Sequence, residues 1–563
     1  MKLETFFDNF EMLADATNCV KKLRELILQL AMRGKLVPQD SNDEPTSGLL
    51  DKIKAEKERL IKEKKIKKNE SLPPLKETDI PYQLPSSWTW ISLGEIADYN
   101  GAAKVSPSEI PEDAWLLDLE DIEKDTSKII QRTTISDRES KSTKAKFSEG
   151  DVLYGKLRPY LNKVVVADSD GFCTTEIVPL RIYYGISPKY LMYALKRPDF
   201  LEYVNSKTYG IKMPRLGTED ARRAPFPLAP LEEQRRIVAK IDQLMSLCDE
   251  LEARQQKRRE TRARLNSAAL DRLLAARAPG EFAQCWQHIY DNFDLLYDAP
   301  ENVGALRQAI LQLAVMGKLV AQDTNDEPAS VLLEKIKAEK EWLIKEKKIK
   351  KTETLVEPSE VPFELPKGWK WVSLGNALLK LTDGTHNSPP NCETGDFKYV
   401  TAKNIKTQGI DLTNITYVTT AIHNEIYSRC DPEPGDILYI KDGATTGIAA
   451  INDITEPFSM LSSVALLKTP SEIYNRYLLY VLRSPYFYSM MREDMSGVAI
   501  TRVTLTKLNK AIIPLAPLDE QRRIVAKVNQ LMSLCDALEA SLTRSQADGE
   551  RLMEAVVGRM LAG

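Results

Sequence analysis

Apolar positions in two long stretches of the chain recur at alternating four- and three-residue steps. In the first they are Ile237, Ile241, Leu244, Cys248 and Leu251, and in the second Ile524, Val528, Leu531, Cys535, Leu538 and Leu542. This spacing is a heptad seam, so each stretch reads as a long helix packed lengthwise on another. A proline, Pro230 or Pro517, stands just before each, and two acidic residues follow, Glu232 and Glu233 or Asp519 and Glu520. Proline before the first turn and carboxylates near the positive end of the dipole are start signals. The first helix is predicted over about 231–276, roughly 65–70 Å at ~1.5 Å per residue. The second is predicted to reach Met560. Midway along, both seams turn polar, at Gln255 and Arg258 and at Ser545 and Gly549. A seam this imperfect favours pairing of the two helices within one chain.

The two stretches are one sequence written twice. Residues 228–253 (LAPLEEQRRIVAKIDQLMSLCDELEA) and 515–540 (LAPLDEQRRIVAKVNQLMSLCDALEA) agree at 22 of 26 positions, at a fixed offset of 287. Helix propensity alone does not produce such identity; one unit was duplicated and both copies are held to one partner or one geometry. Three further segments repeat. LRELILQLAMRGKLVPQD (23–40) returns as LRQAILQLAVMGKLVAQD (306–323). Leu23, Ile27 and Leu30, like Leu306, Ile310 and Leu313, sit at helical spacing, and Gly34 or Gly317 supplies the C-terminal cap. A polar turn follows, with Asn42 or Asn325 as the turn residue.

Next come the Lys-rich stretches 49–68 and 332–351; from Lys52 to Lys68 nine basic residues stand against three acidic ones. Two readings remain open there. One is a solvated helix with i,i+4 pairs such as Glu58 with Lys62. The other is a basic arm that touches phosphate or an acidic partner surface. IPYQLPSSWTWISLGEIA (80–97) then recurs as VPFELPKGWKWVSLGNAL (361–378). Pro85, Trp88 and Trp90, with Pro366, Trp369 and Trp371, mark the extended opening of a new domain whose aromatic residues anchor a core.

Similarity stops near 98 and 379 and resumes near 228 and 515. The segments between carry short β-rich runs punctuated by Gly and Pro. GDVLYGKLRPYLNKVVVA (150–167) and GDILYIKDGATTGIAA (435–450) each read as a hairpin after a Gly-Asp turn. YLMYALKRPDF (190–200) and YLLYVLRSPYF (477–487) read as helical patches, and Gly210 with Arg215 matches Gly497 with Arg502. The plan is thus short helix, Lys-rich arm, variable globular domain and long helix, twice, with 278–303 as the join.

Composition narrows the chemistry. A chain of 563 residues is too long for one core. Net charge is −3, so any contact with DNA must be local. The first variable domain (85–228) carries 20 basic and 21 acidic residues. Seven cysteines, unclustered and without a CxxC, fit a reducing cytoplasm. His288, His386 and His423 are too scattered for a His-rich metal site. The start, MKLETFFDNFEMLAD, lacks the apolar core of a signal peptide, and no run of 18 apolar residues occurs. There is no GxxxxGK[ST] phosphate loop. The nearest match to an adenine-methyltransferase Asn-Pro-Pro-aromatic motif is Asn387-Ser388-Pro389-Pro390-Asn391, which has an inserted serine and no aromatic and reads as a loop. Gly34-Lys35 and Gly317-Lys318 read as helix caps. No catalytic site and no bound cofactor or metal is expected of this chain.

The two EQRRIVAK helices, the two ILQLA…GKLV segments and the Pro-x-x-Trp opening of each variable domain together resemble the specificity subunit of a type I restriction-modification system. The resemblance covers the repeated half densely. It covers the variable domains only by placement and by scattered motifs such as DGTHNSP (383–389). It implies an α+β fold in which two mixed α/β target recognition domains are separated by a long antiparallel helical coiled coil, with an internal pseudo-two-fold. The expected divisions are 1–84 (helical, with the Lys-rich arm), 85–229 (first recognition domain), 230–364 (central helical region), 365–516 (second recognition domain) and 517–563 (C-terminal helical region). Each recognition domain would read one half of a split DNA target, and the helices would set the unread spacer. Two methyltransferase subunits would dock on the repeated helices, and restriction subunits would join them. Adenine methylation with S-adenosylmethionine, and cleavage driven by ATP with Mg2+, would belong to those partners, in the cytoplasm.

Base edges are read by Arg, Lys, Asn, Gln, Ser and Thr. Candidates on the diverged hairpins and loops are Lys156, Arg158, Tyr160, Asn162, Lys163, Lys212 and Arg215 in the first domain. In the second they are His386, Asn387, Lys403, Asn404, Lys406, Lys441, Thr445, Thr446 and Arg502. Arg215 and Arg502 are matched between copies, so holding phosphate or a domain joint suits them better than reading sequence. Partner docking is assigned to Gln234, Arg235, Arg236 and Lys240, and to Gln521, Arg522, Arg523 and Lys527. Two other readings compete: a coiled-coil adaptor whose variable domains bind proteins, and a self-sufficient modification enzyme, against which the absence of cofactor motifs argues.

Overall fold

The structure, a computed structural model, describes residues 18–66, 72–99, 101–138, 142–210, 212–349, 361–492 and 502–562. Gly497, the first 17 residues and the far ends of both Lys-rich stretches lie outside them. The chain divides into two units, Met1–Arg258 with Gln546–Gly563, and Arg259–Ser545. Six helices carry the repeated sequence: α1 Cys19–Met32, α2 Thr46–Lys62, α3 Leu231–Ala275, α4 Pro300–Val315, α5 Ala329–Lys345 and α6 Leu518–Ala562. The two long helices, α3 and α6, are 45 residues each, close to the predicted bounds.

In the first unit, strand Thr89–Ser92 pairs antiparallel with Pro225–Leu228, Trp90 opposite Pro227. The opening of the variable domain is thereby clasped to its close, three residues before α3 begins. In the second unit Lys370–Ser373 pairs in the same way with Ile512–Leu515, Trp371 opposite Pro514. Trp88 and Trp369 are buried, as expected of core anchors. Behind each clasp lies a four-stranded antiparallel sheet. Its order is Ala97–Tyr99, Ile177–Ile182, Val152–Gly155, Val164–Val166 in the first unit. In the second it is Lys380–Asp383, Val464–Lys468, Ile437–Ile440, Ala449–Ile451. The last two strands of each sheet are the predicted hairpins.

The domains differ in their second sheet. The first has five strands, with Leu116 paired parallel to Phe172. The second has three, with Tyr399 parallel to Ser459. Inward-facing residues of the shared sheet, such as Leu153 and Ile177 or Leu438 and Leu466, contribute to a core beneath that variable sheet.

The heptad seams are filled from within each unit. Ile237 and Ile241 are fully buried and share a core with Val20, Ile27 and Leu28 of α1 and with the variable domain; Leu244, Met245 and Leu251 pack at its edge. Ile524, Val528 and Cys535 share theirs with Ile310 and Leu311 of α4. Removing two isoleucine side chains from water stabilises each contact by about 1.5–3 kcal/mol per residue. The short helices are therefore the partners of these seam segments, which the heptad pattern alone assigned to the other long helix.

The same short helices also meet the distal parts of the long ones. Cys19 and Leu23 pack on Met553, Val556, Val557 and Met560 in the first unit. Ala309 and Leu313 pack on Leu270 and Leu273 in the second. Arg24 binds Asp249 and Glu252 at 2.6 and 2.8 Å, and Arg307 binds Asp536 and Glu539 at 2.7 and 2.8 Å.

Gly34 and Gly317 cap α1 and α4 in left-handed backbone, φ +68° and +67°, and a Cβ at either would sit 2.5 Å from the ring of Pro85 or Pro366. The lysines that follow have a use of their own. Lys318 donates to Leu274 O (3.2 Å) and Ala276 O (2.7 Å) at the end of α3, and Lys35 donates to Leu561 O (3.5 Å) at the end of α6. A cation on the orphan carbonyls of a C-terminus opposes the negative end of the dipole.

The Lys-rich helices stop at Lys62 and Lys345. Lys64 and Lys347 then take left-handed backbone, φ +58° in both, and Lys65 and Lys348 donate backward to Leu60 O and Leu343 O, each 2.9 Å. Along α2, Arg59 pairs with Glu56 and with Glu63 just past its end, Lys52 with Glu44 and Lys57 with Glu95.

Candidate nucleic-acid interface

In the first domain the hairpin Val152–Gly155 to Val164–Val166 is joined by a single 3-10 turn, Pro159–Leu161. Arg158 and Asn162 flank that turn, both in left-handed backbone at φ +50° and +51°. The fixed φ of Pro159 and these two positions turn the chain sharply outward. A neighbouring segment braces the loop. Arg158 N donates to Pro214 O (2.7 Å), Leu216 N to Lys156 O (3.1 Å) and Lys156 N to Glu176 O (3.0 Å). Arg215 grips Glu176 through Nη2 (2.9 Å) and Nε (3.1 Å).

The loop sorts the candidates. Arg158, Tyr160 and Lys212 are exposed and Lys156 is half-buried. Lys163 instead donates to Leu119 O at 2.7 Å and ties the turn to the 3-10 turn Leu119–Asp121 that follows a strand of the variable sheet. Asn162 is buried, its backbone holding the left-handed position. Lys163 is thus a brace for the loop and Asn162 sits buried inside it, a correction to their assignment as readers. Arg215 is engaged by Glu176.

The second domain keeps the joint and changes the chemistry. Arg502 bridges Asp442 as Arg215 bridges Leu157, and Val503 N donates to Lys441 O at 2.7 Å. Arg502 Nε lies 3.5 Å from Asp442 Oδ1, and its side chain is exposed. His386, Asn387, Lys403, Lys406 and Thr445 are also exposed.

Three others are not. Lys441 is 2% exposed, with its Nζ 3.4 Å from Asp383 and 3.5 Å from Asp442. Thr446 is buried and donates to Gly443 O at 2.7 Å. Asn404 is buried, accepting from Thr401 N (3.0 Å) and donating to Asp411 O (3.1 Å). Lys441, Thr446 and Asn404 are thus corrected from readers to internal ties. Sequence reasoning missed Arg429, which donates to Asp383 Oδ1 and Gly384 O at 2.6 Å beside His386. It also missed Tyr209 and Met213, both exposed next to Lys212. Only their place beside Gly210 could have marked them.

The EQRR segments are mostly internal. Trp88 Nε1 donates to Glu233 Oε2 at 2.8 Å and Trp369 Nε1 to Glu520 Oε2 at 2.9 Å. Gln39 and Gln322 donate to the other oxygen of each. Burial pushes both carboxyls above the usual range, against the pull of these hydrogen bonds. Gln234 is 0% exposed, accepting from Ser187 N (3.0 Å) and donating to Ala229 O (2.9 Å). Gln521 repeats this with Tyr474 N (2.8 Å) and Ala516 O (2.9 Å). Neither glutamine is available for docking, which corrects that assignment. Arg236 and Arg523 clamp Asp43 and Asp326 with two nitrogens each. Arg235, Arg522 and Lys527 are exposed, and Lys240 is half-buried.

Among the described residues no group of His, Cys, Asp and Glu could hold a metal ion, and no helix is long and apolar enough to cross a membrane.

Comparison with known proteins gives these features a context. Residues 85–259 and 366–545 match the family described as type I restriction modification DNA specificity domain. The chain is 35% identical over 538 residues to the type I restriction enzyme EcoAI specificity subunit of Escherichia coli, spanning 92% of this chain and 90% of that one. It is 32% identical over 567 residues to the EcoEI specificity subunit of the same organism, spanning 96% and 94%. A solved chain from a study of complex assembly and conformational transition of the type I R-M system shares the fold. Its TM-score is 0.51 at 23% identity, with 85% of this chain and 99% of that chain covered. With two matched domains, each on a copy of the duplicated helices, the chain belongs to the type I restriction-modification DNA specificity family.

Proposed function

We propose that this chain is the DNA-reading subunit of a type I restriction-modification complex and is itself non-catalytic. Each variable domain reads one half of a bipartite duplex target. The first does so with the loop carrying Lys156, Arg158, Tyr160 and Lys212, and the second with His386, Asn387, Lys403, Lys406 and Thr445. Two methyltransferase subunits dock on the repeated helices, where Arg235, Arg522 and Lys527 offer solvent-facing cations and Lys240 a half-buried one. Restriction subunits join that assembly. The partner subunits, and not this chain, use S-adenosylmethionine, ATP and Mg2+.

One observation carries the reading: two DNA specificity domains share a sheet and a clasp yet differ in second sheet and loops, while their helical frames are near copies. Identical frames suit identical partners, and unlike domains suit unlike half-sites. Family membership weighs against a protein-binding adaptor.

The long helices are proposed to run antiparallel as a ruler between the half-sites. Support comes from α1 and α4, each of which meets the proximal part of one long helix and the distal part of the other.

The test is to map methylated adenines across DNA from cells carrying the system. One bipartite motif that disappears when this chain is deleted is expected; methylation without sequence preference would refute the proposal. Because the first domain has nearly balanced charge, the isolated chain should bind DNA weakly and with strong salt dependence, and much more tightly with methyltransferase subunits. Equal affinity in the two states, by titration at fixed salt, would contradict shared recognition.

A further inference from the structure

We propose that the first domain unstacks a base step of its half-site with an apolar wedge formed by Tyr160, Tyr209 and Met213; this rests on the DNA-reading role proposed above. These side chains are 47%, 62% and 49% exposed. A single exposed apolar residue is ordinary on a protein surface; a set from adjoining loops is not. The backbone brings the loops together. Tyr160 stands on the turn Pro159–Leu161. Tyr209 pairs with Arg215 across a two-stranded ribbon, and Met213 precedes Pro214 in that ribbon's connection. Pro214 O accepts from Arg158 N at 2.7 Å, and Arg215 also bridges Leu157, so the ribbon is stitched to the turn.

Two features identify the occupant as duplex DNA. The wedge lies among Lys156, Arg158 and Lys212, for which the described residues provide no ion-pair partner, whereas the nearby carboxylate Glu176 is neutralised by Arg215. Unpaired cations flanking an apolar tip suit a polyanion whose interior is apolar. The basic groups hold phosphates while the apolar side chains enter between stacked bases. The mounting is also stiff. Arg158 and Asn162 hold left-handed backbone on either side of Tyr160, and Lys163 anchors the turn to Leu119 O. A rigid wedge loses little freedom on insertion, so more of its contact energy goes into opening the step. Opening one step also suits a reaction on a base that must leave the stack.

The experiment uses the complex of this chain with its methyltransferase subunits. The probe is a duplex carrying the mapped target, with 2-aminopurine placed in turn at each position of the first domain's half-site. Wild-type complex should brighten the probe several-fold at one step other than the methylated adenine. Combined Tyr160→Ser, Tyr209→Ser and Met213→Ser substitutions should abolish that rise at saturating protein. Lys212→Ala should weaken binding and lower its salt slope while leaving the rise at saturation. No rise with wild type away from the methylated base, or a rise that survives the triple substitution, overturns the wedge while sequence-specific binding keeps the reading role. Loss of sequence preference in the wild-type complex would instead sink the reading role.

Discussion

Among individual residues, the near-identity of the two EQRR segments is explained largely from inside. The glutamates receive tryptophan indoles, the glutamines bridge a backbone N–H and a carbonyl, and the second arginines clamp aspartates. Only the first arginine of each points to solvent. Replacing Gln234 by leucine would orphan Ser187 N–H and Ala229 O in a buried site, at about 1–3 kcal/mol for each group. Arg235→Ala should change stability by less than ~0.5 kcal/mol and instead reduce co-purification with methyltransferase subunits. Urea denaturation and pull-down of the two variants separate the roles.

Lys196 offers a second residue-level test. Its Nζ donates to Ser127 Oγ at 2.6 Å in a buried site, and burial lowers its pKa to about 8, with Asp125 opposing and Arg24 adding to the shift. Between that value and the ordinary lysine value the unfolded chain holds a proton the folded one has lost. Stability from this group therefore rises as pH climbs through that window. Lys196→Met should flatten the rise. The wild-type-minus-variant difference in urea midpoint from about pH 7 to about pH 9.5 isolates it from cysteine and tyrosine ionisation. A difference independent of pH would show that the ammonium is solvated.

At the level of elements, much of the architecture was legible because it obeys local rules. Heptad spacing located α3 and α6 to within about two residues, Gly34 and Gly317 fall where a left-handed cap is required, and Gly-Asp turns open both hairpins. What the seam packs against was not legible, because an apolar stripe specifies that it is buried and not by what; the short helices take it. The loops were legible only as loops. Lys441 and Asn404 looked like readers because a polar side chain in a variable loop carries no sign of whether an Asp383 or a Thr401 waits for it in the fold. The ends of α2 and α5 were also missed, since lysine has no preference for left-handed backbone. That mismatch is testable. Lys64→Gly or Lys347→Gly should stabilise its unit by about 1 kcal/mol, the left-handed penalty of a residue with a Cβ. Gly34→Ala should destabilise, because its Cβ would meet Pro85. Thermal melts reporting the opposite signs would mean these ends are not the ordered caps described.

For the whole molecule, the duplicated plan makes the ruler proposal quantitative. Each unit holds the first part of one 45-residue helix and the last part of the other. If α3 and α6 run antiparallel, lengthening one alone forces the other to stretch or its seam to slip. The informative change is therefore a pair of insertions, seven residues within 255–262 and seven at the matching place, 542–549, given the offset of 287. Two full turns keep the apolar stripe on one face and add about 10 Å at ~1.5 Å per residue. At ~3.4 Å per base pair that is about three base pairs of spacer. The mapped motif should keep both half-sites and gain that many unread positions, whereas either insertion alone should lower stability and methylation together. An altered half-site would mean the helices orient the readers as well as separating them. An unchanged spacer after the paired insertion would remove the ruler altogether.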